Sequence, residues 1–115
     1  MLFKPEHEEM ILERRKTATR RMWKKPRVKV GGIYKCKKIM LSKDYFAKIK
    51  VIKLFKQKLK YMGEGDALKE GYHSLDVFQD IWVKINGNWN QEAEPYVIEF
   101  ELVERGLNLA SIEGI

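Results

Sequence analysis

Cysteine is almost missing from this chain of 115 residues: Cys36 stands alone. That rules out an intrachain disulfide or a cysteine-rich metal site and fits a reducing, cytoplasmic compartment. Histidine is nearly as scarce. His7 and His73 are the only two, no pair of candidate ligands has metal-site spacing, and neither a structural metal nor a cofactor is expected. No apolar run approaches the ~20 residues that a membrane-spanning helix needs, and the opening Met-Leu-Phe-Lys-Pro-Glu-His-Glu-Glu is acidic rather than signal-like. The expectation is a soluble cytoplasmic protein with no membrane partner. Repeats, low-complexity tracts and linkers are also missing, so one domain is expected over residues 1–104, followed by a tail over 105–115.

What the chain does have is positive charge. Its 23 lysines and arginines against 16 acids give a net charge of +7, a field that favours phosphate-bearing partners. The same composition also serves solubility alone, and both readings stand. A hydrophobic content of 44% with 11% aromatics is that of a folding chain.

Leu2 to Lys4 has the composition of a first short strand. Pro5 fits the first turn of a helix, and Glu6, Glu8 and Glu9 place negative charge at its positive end. Arg14, Arg15 and Lys16 then fall at the opposite end, where cations are favourable without any ligand. Trp23-Lys24-Lys25-Pro26 reads as a loop. Arg27 to Val30 alternates like a strand before the Gly31-Gly32 turn. Ile33 to Leu41 and Ala47 to Leu54 follow as strands. In the second, Ala47, Ile49 and Val51 share a face before Ile52 and Leu54 take over the apolar phase, which predicts a bulge or a bend. Alternation predicts a buried, inert Cys36; exposed beside its lysines, it would instead be reactive. The many lysines on the polar faces fit either a phosphate track or protection of sheet edges.

Gly63 to Tyr72 reads as a short helix started near Asp66 and closed by Gly71. Glu70 falls in its last turn, where a carboxylate opposes the helix dipole. Ser74 caps a stronger helix whose Phe78, Ile81, Trp82 and Ile85 recur at i, i+3, i+4 and i+7 and read as core; Gly87 ends it. Tyr96 to Val103 is a clear strand, with Tyr96, Ile98, Phe100 and Leu102 on one face.

The candidate ligand site is Arg14 to Arg21, Arg-Arg-Lys-Thr-Ala-Thr-Arg-Arg, five cations and two hydroxyls where the first helix runs out. Thr17 to Met22 has no helical stripe, so the chain turns or extends there. Residues three apart on an extended strand face opposite ways, so Lys16 and Thr19 can cooperate only across a bend.

Lys16-Thr17-Ala18-Thr19-Arg20-Arg21, Asp66-Ala67-Leu68-Lys69-Glu70-Gly71-Tyr72, the Phe78–Trp82 helix and Tyr96-Val97-Ile98-Glu99-Phe100, taken in order, resemble the ASCH domain. Its motif of a lysine, a threonine three residues on and an arginine two further is matched by Lys16, Thr19 and Arg21. The resemblance implies an α+β, PUA-like fold: a curved β-barrel with flanking helices and a cleft between them. It also implies a role with RNA or a modified nucleoside or nucleotide. Some small members resemble amidohydrolases that deacylate the exocyclic nitrogen of cytidine, and by motif their catalytic groups fall on Lys16, Thr19 and Glu70. Lys16, Thr17, Arg20, Arg21 and Trp23 are then the ligand-binding candidates. One departure concerns Arg14, which occupies a position where the family usually has glycine for a left-handed turn.

The chemistry is coherent. Threonine is a nucleophile only once a base takes its proton, and lysine is that base only if its pKa falls. Burial and the neighbouring cations push it down, whereas an ionised Glu70 pushes it up. Three readings follow: an RNA- or nucleotide-binding domain, an amidohydrolase of N4-acylated cytidine, and a protein-interaction adaptor.

Overall fold

The computed structural model describes residues 1–106. Its elements are α1 (Pro5–Leu12), β1 (Ala18–Arg21), β2 (Ile33–Cys36), β3 (Ala47–Lys56), a 3₁₀ turn (Leu59–Tyr61), α2 (Glu64–Lys69), α3 (Leu75–Asn86) and β4 (Tyr96–Arg105). The strands form one antiparallel sheet in the order β1-β4-β3-β2. The class is therefore α+β, as the resemblance implied. β4 runs through Arg105, the first residue of the expected tail, and residues 107–115 lie outside those described.

The alternation of β3 and β4 builds the core. Ala47, Ile49 and Val51 are fully buried and pack with Ile98 and Phe100 of β4. The register shifts between Val51 and Lys53, which is the bulge that the change of phase predicts. Ile52 is the inserted residue and is 47% exposed, so only Leu54 carries the inward phase onward.

Four expected elements differ. The strand expected over Ile33 to Leu41 stops at Cys36, and only Lys37 makes a bridge beyond it. Leu2 makes a single parallel bridge to Lys37 rather than a strand: the Phe3 N–H donates to the Lys37 carbonyl and the Lys37 N–H to that of Met1, both at 2.8 Å. Arg27 to Val30 forms no strand, because Val28 alone turns into the core, against Val51 and Ile98. Helix α1 ends at Leu12 with no cation in its last turn. Beyond it Arg14 takes a left-handed φ of 61°, and the N–H groups of Arg15 and Lys16 both reach the Met10 carbonyl, at 2.8 and 3.0 Å. The turn that usually uses glycine is thus made by arginine.

The two edges of the sheet are linked through the N-terminal segment. Arg21 at the end of β1 donates from Nη2 to the Leu2 carbonyl at 2.8 Å, and Leu2 lies against the continuation of β2 through its bridge to Lys37. Helix α3 starts where expected, with Ser74 Oγ accepting the Val77 N–H, and ends at Gly87 with φ 90°. Its Phe78 and Trp82 pack on Leu59, Met62 and Ala67, and Trp89 joins them. No helix among the described residues is long and apolar enough to cross a membrane.

Candidate functional site

Helix α2 supplies the centre of the site. Its last carbonyls need donors, and the chain after α1 provides them: the Thr17 N–H reaches the Lys69 carbonyl at 2.7 Å and Lys16 Nζ reaches that of Glu70 at 3.1 Å. Lys16 Nζ also donates to Glu70 Oε1 at 3.1 Å, while Arg20 Nη1 donates to Glu70 Oε2 at 2.9 Å. The carboxylate that opposes the dipole of α2 is therefore held by two cations. All three residues are buried, Lys16 at 2%, Glu70 at 3% and Arg20 at 7% exposure. Gly71 makes the close approach possible. Its φ is 98°, and a side chain there would bring a Cβ within 2.8 Å of Met10 Sδ and 3.3 Å of Lys16 Cβ.

Lys16, Thr19, Arg20, Arg21 and Glu70 line one cavity of about 210 Å³. The bend that Lys16 and Thr19 require lies at Lys16 and Thr17, before β1 begins. The opposite wall is Tyr72 with Phe78, Ile81, Trp82 and Ile85 of α3, so the helix read only as core also faces the cavity. The N-terminal segment closes one side through Leu2, Phe3 and Lys4, with the Arg21 guanidinium 4.8 Å above the Phe3 ring.

Thr17 and Trp23 lie outside the lining. The backbone of Thr17 ties α2 to β4, its carbonyl accepting the Phe100 N–H at 2.9 Å. Trp23 packs 6.4 Å from Tyr96 beside Val28 and Val51. Conversely, His7 and Tyr72, 65 residues apart, meet in the cavity wall with His7 Nε2 2.8 Å from the Tyr72 hydroxyl. His7 has no visible partner in the sequence because nothing local marks so distant a contact.

The electrostatics follow from burial. Lys16 is pushed below the usual lysine range by loss of water; Glu70 opposes the shift, and Arg21 and Arg20 add to it. Burial, assisted by Lys16, takes His7 down to about 4, so its imidazole is neutral near pH 7. Burial, assisted by Glu70, takes Tyr72 up to about 12.

Two of the three Nζ hydrogens of Lys16 go to Glu70, leaving one for a ligand. Thr19 Oγ1 accepts from Arg21 Nε at 3.2 Å, so its own proton is free to be given away and the adjacent charge favours the alkoxide. Arg20 is occupied differently, with Nη2 2.7 Å from Gln57 Oε1 and 3.9 Å from Asp66 Oδ1. Its buried Nε has no partner among the described residues. Nor do those residues include three His, Cys, Asp or Glu side chains placed to hold a metal ion.

No protein-family model and no curated protein matches the sequence. Solved structures do match the fold. An ASCH domain from Lactobacillus crispatus JV V101 superposes with a TM-score of 0.67 at 18% identity, over 85% of this chain and 70% of the other. A DUF984 protein from Enterococcus faecalis V583 gives 0.65 at 18%, over 87% and 68%. ASCH from Zymomonas mobilis gives 0.63 at 13%, over 99% and 75%. From the sheet to the helices packed beside it, this chain has the fold of an ASCH domain.

Proposed function

We propose that the chain is a member of the ASCH family whose cavity receives the base of a nucleotide or of an RNA residue. The observation that carries this reading is the pairing of walls, an aromatic and aliphatic one from α3 opposite a donor-rich one from β1 and Lys16. A flat ring with polar edges fits such a space. At about 210 Å³ the cavity is smaller than the roughly 300–1,000 Å³ of pockets for drug-sized ligands, which favours one base over a tract of RNA.

A second reading, amide hydrolysis at an acylated exocyclic amine, is favoured by Thr19 and a lysine of lowered pKa lining the same cavity. In it, neutral Lys16 takes the Thr19 proton as Oγ1 bonds to the acyl carbon. The Arg21 guanidinium faces the charge that develops. The C–N bond then breaks as Lys16 returns the proton to the departing amine, and water hydrolyses the threonyl ester to release the acid. Glu70 holds the lysine in place and stabilises its ammonium form between the two transfers.

The test is N4-acetylcytidine with the parent and Thr19→Ala, following tryptophan emission for binding and chromatography for turnover. Trp82 in the cavity wall is expected to report binding in both proteins. Turnover lost in the variant with binding retained supports hydrolysis; binding without turnover in either supports a binding domain. A ligand-independent emission, with cytidine monophosphate equally silent, overturns both.

A further inference from the structure

Between Glu13 and Asp44 the chain contains no acidic residue, and the cavity uses only the first part of that span. Past Arg21 and the exposed, cavity-lining Met22 come Trp23, Lys24, Lys25 and Arg27. Trp23 meets Tyr96 with ring centroids 6.4 Å apart and planes at 41°. The Arg27 guanidinium lies 5.9 Å from the centre of the Trp23 ring, and the Lys56 ammonium 4.9 Å from that of Tyr96. Both rings are half-buried, whereas Lys24, Lys25, Arg27 and Lys56 are exposed.

None of these four cations has an ion-pair partner among the described residues. Some lysines elsewhere are matched, as where Lys58 and Lys60 share Glu92 and Lys69 meets Glu99; Lys29, Lys50, Lys53 and Lys84 are exposed and unpaired among the described residues as well, so what distinguishes this patch is the two rings beneath its cations. Glu94, the acid nearest Tyr96 in sequence, pairs with none of them. The position is specific too. Tyr96 is the register partner of Arg21 and Lys56 that of Tyr96, and residues opposite one another in a sheet share a face. Two stacking rings and four uncompensated cations therefore begin one residue beyond the wall of the cavity.

We propose that Trp23, Tyr96, Arg27 and Lys56 form a second subsite, which holds the nucleotide of a single-stranded RNA adjacent to the one in the cavity. Aromatic rings stack bases of any sequence, and cations track the phosphates between them. The Arg27 and Lys56 groups now over the rings supply those phosphate contacts. The inference rests on the reading of the cavity as a base site, and the ligand it adds is a strand rather than a free nucleoside.

The experiment compares cytidine monophosphate with a fluorescein-labelled cytidine hexaribonucleotide on the parent, on Arg27→Gln/Lys56→Gln, and on a control pair of equal charge, Lys43→Gln/Lys84→Gln. All four positions are exposed, so the fold is kept. The hexanucleotide is expected to bind the parent more tightly than the monophosphate. The Arg27/Lys56 variant should lose about tenfold for the hexanucleotide, with the slope of log K against log salt shallower by about 1.4, two phosphates at roughly 0.7 each. Its affinity for the monophosphate should not change, and the control pair should stay within about twofold on both ligands. Equal losses in both variants, or no preference for the longer ligand, would overturn the subsite in favour of a diffuse field. Loss of hexanucleotide binding in the Arg27/Lys56 variant, with no monophosphate binding to any protein, would instead remove the cavity reading and leave the platform standing.

Discussion

Glu70→Gln and Lys16→Met should have very different costs, although they break the same contact. Glu70 is the counter-ion of two buried cations, at 3.1 Å from Lys16 and 2.9 Å from Arg20. Glutamine removes the charge and turns one of its two positions into an N–H₂ donor facing another donor. Leaving a buried charge without its partner typically costs about 3–5 kcal/mol. Lys16 relieves part of this by shedding its proton, so a loss near 3 kcal/mol at pH 7 is expected, a large share of the roughly 5–15 kcal/mol that holds a domain together. Lys16→Met is milder. Glu70 keeps Arg20, the methionine fills a similar volume, and the loss is mainly a hydrogen bond or two, about 1 kcal/mol or less.

The pH dependence separates the two further. In the folded chain Lys16 sits below the ordinary 10.5 because burial outweighs the opposing Glu70. The unfolded state therefore binds more protons in the window ending at 10.5, and stability rises with pH there. Removing Glu70 extends that window downward, so Glu70→Gln should recover between pH 7 and pH 9 relative to the parent, whereas Lys16→Met should not. Urea titrations followed by tryptophan emission measure both. Equal losses for the two variants, or a Glu70→Gln protein as stable as the parent, would refute the assignment of Glu70 as the shared counter-ion.

Other positions give independent checks. Arg14 at φ 61° bears a penalty of roughly 1–2 kcal/mol for a left-handed non-glycine residue, and glycine's freedom in the unfolded chain offsets roughly 0.4–1 of it. Arg14→Gly should therefore raise stability by about 0.5–1 kcal/mol in a thermal melt and leave ligand binding unchanged. His7 falls from the ordinary 6.5 to about 4 on folding, so stability is full above 6.5 and is lost as pH falls through 4, by about 3 kcal/mol across that window. His7→Leu should flatten the slope of unfolding free energy between pH 6.5 and 5, above the range where ordinary carboxylates titrate. Burial takes the Cys36 thiol up to about 12, so alkylation by iodoacetamide should track unfolding in urea and be negligible in native buffer.

The elements with strong local signals were legible: α3 between Ser74 and Gly87, the bulge at Ile52, the turn at Gly71 and the inward face of β4. The misses share a cause. Arg27 to Val30 has a strand's alternation but only Val28 finds a partner, and pairing is decided by neighbours distant in sequence. The end of α1 was misplaced because a left-handed turn was not expected of arginine. In the site, Lys16, Thr19 and Glu70 were marked by their motifs, and the structure brings them to one cavity. His7 with Tyr72, and the cavity-facing role of Phe78 and Trp82, depend on contacts that no spacing along the chain encodes.

Charge is where the sequence is most open to misreading, because the five cations of Arg14 to Arg21 do different work. Arg14 forms a turn, Arg15 pairs with Glu13 at 2.8 Å, and Arg20 is held by Glu70 and Gln57. Arg21 ties the end of β1 to the N-terminal segment and supports Thr19. Only Lys16 combines near-complete burial with a lowered pKa and a hydrogen left over for a ligand. A cluster dense enough to suggest a ligand site is thus mostly consumed by the architecture. Cations that are exposed and unmatched, as a polyanion requires, occur further along, and those at Lys24, Lys25, Arg27 and Lys56 are the ones set beside the paired rings of Trp23 and Tyr96. Neutralising Lys16 should therefore alter chemistry in the cavity with little effect on the salt dependence of strand binding, and neutralising Arg27 and Lys56 should do the reverse.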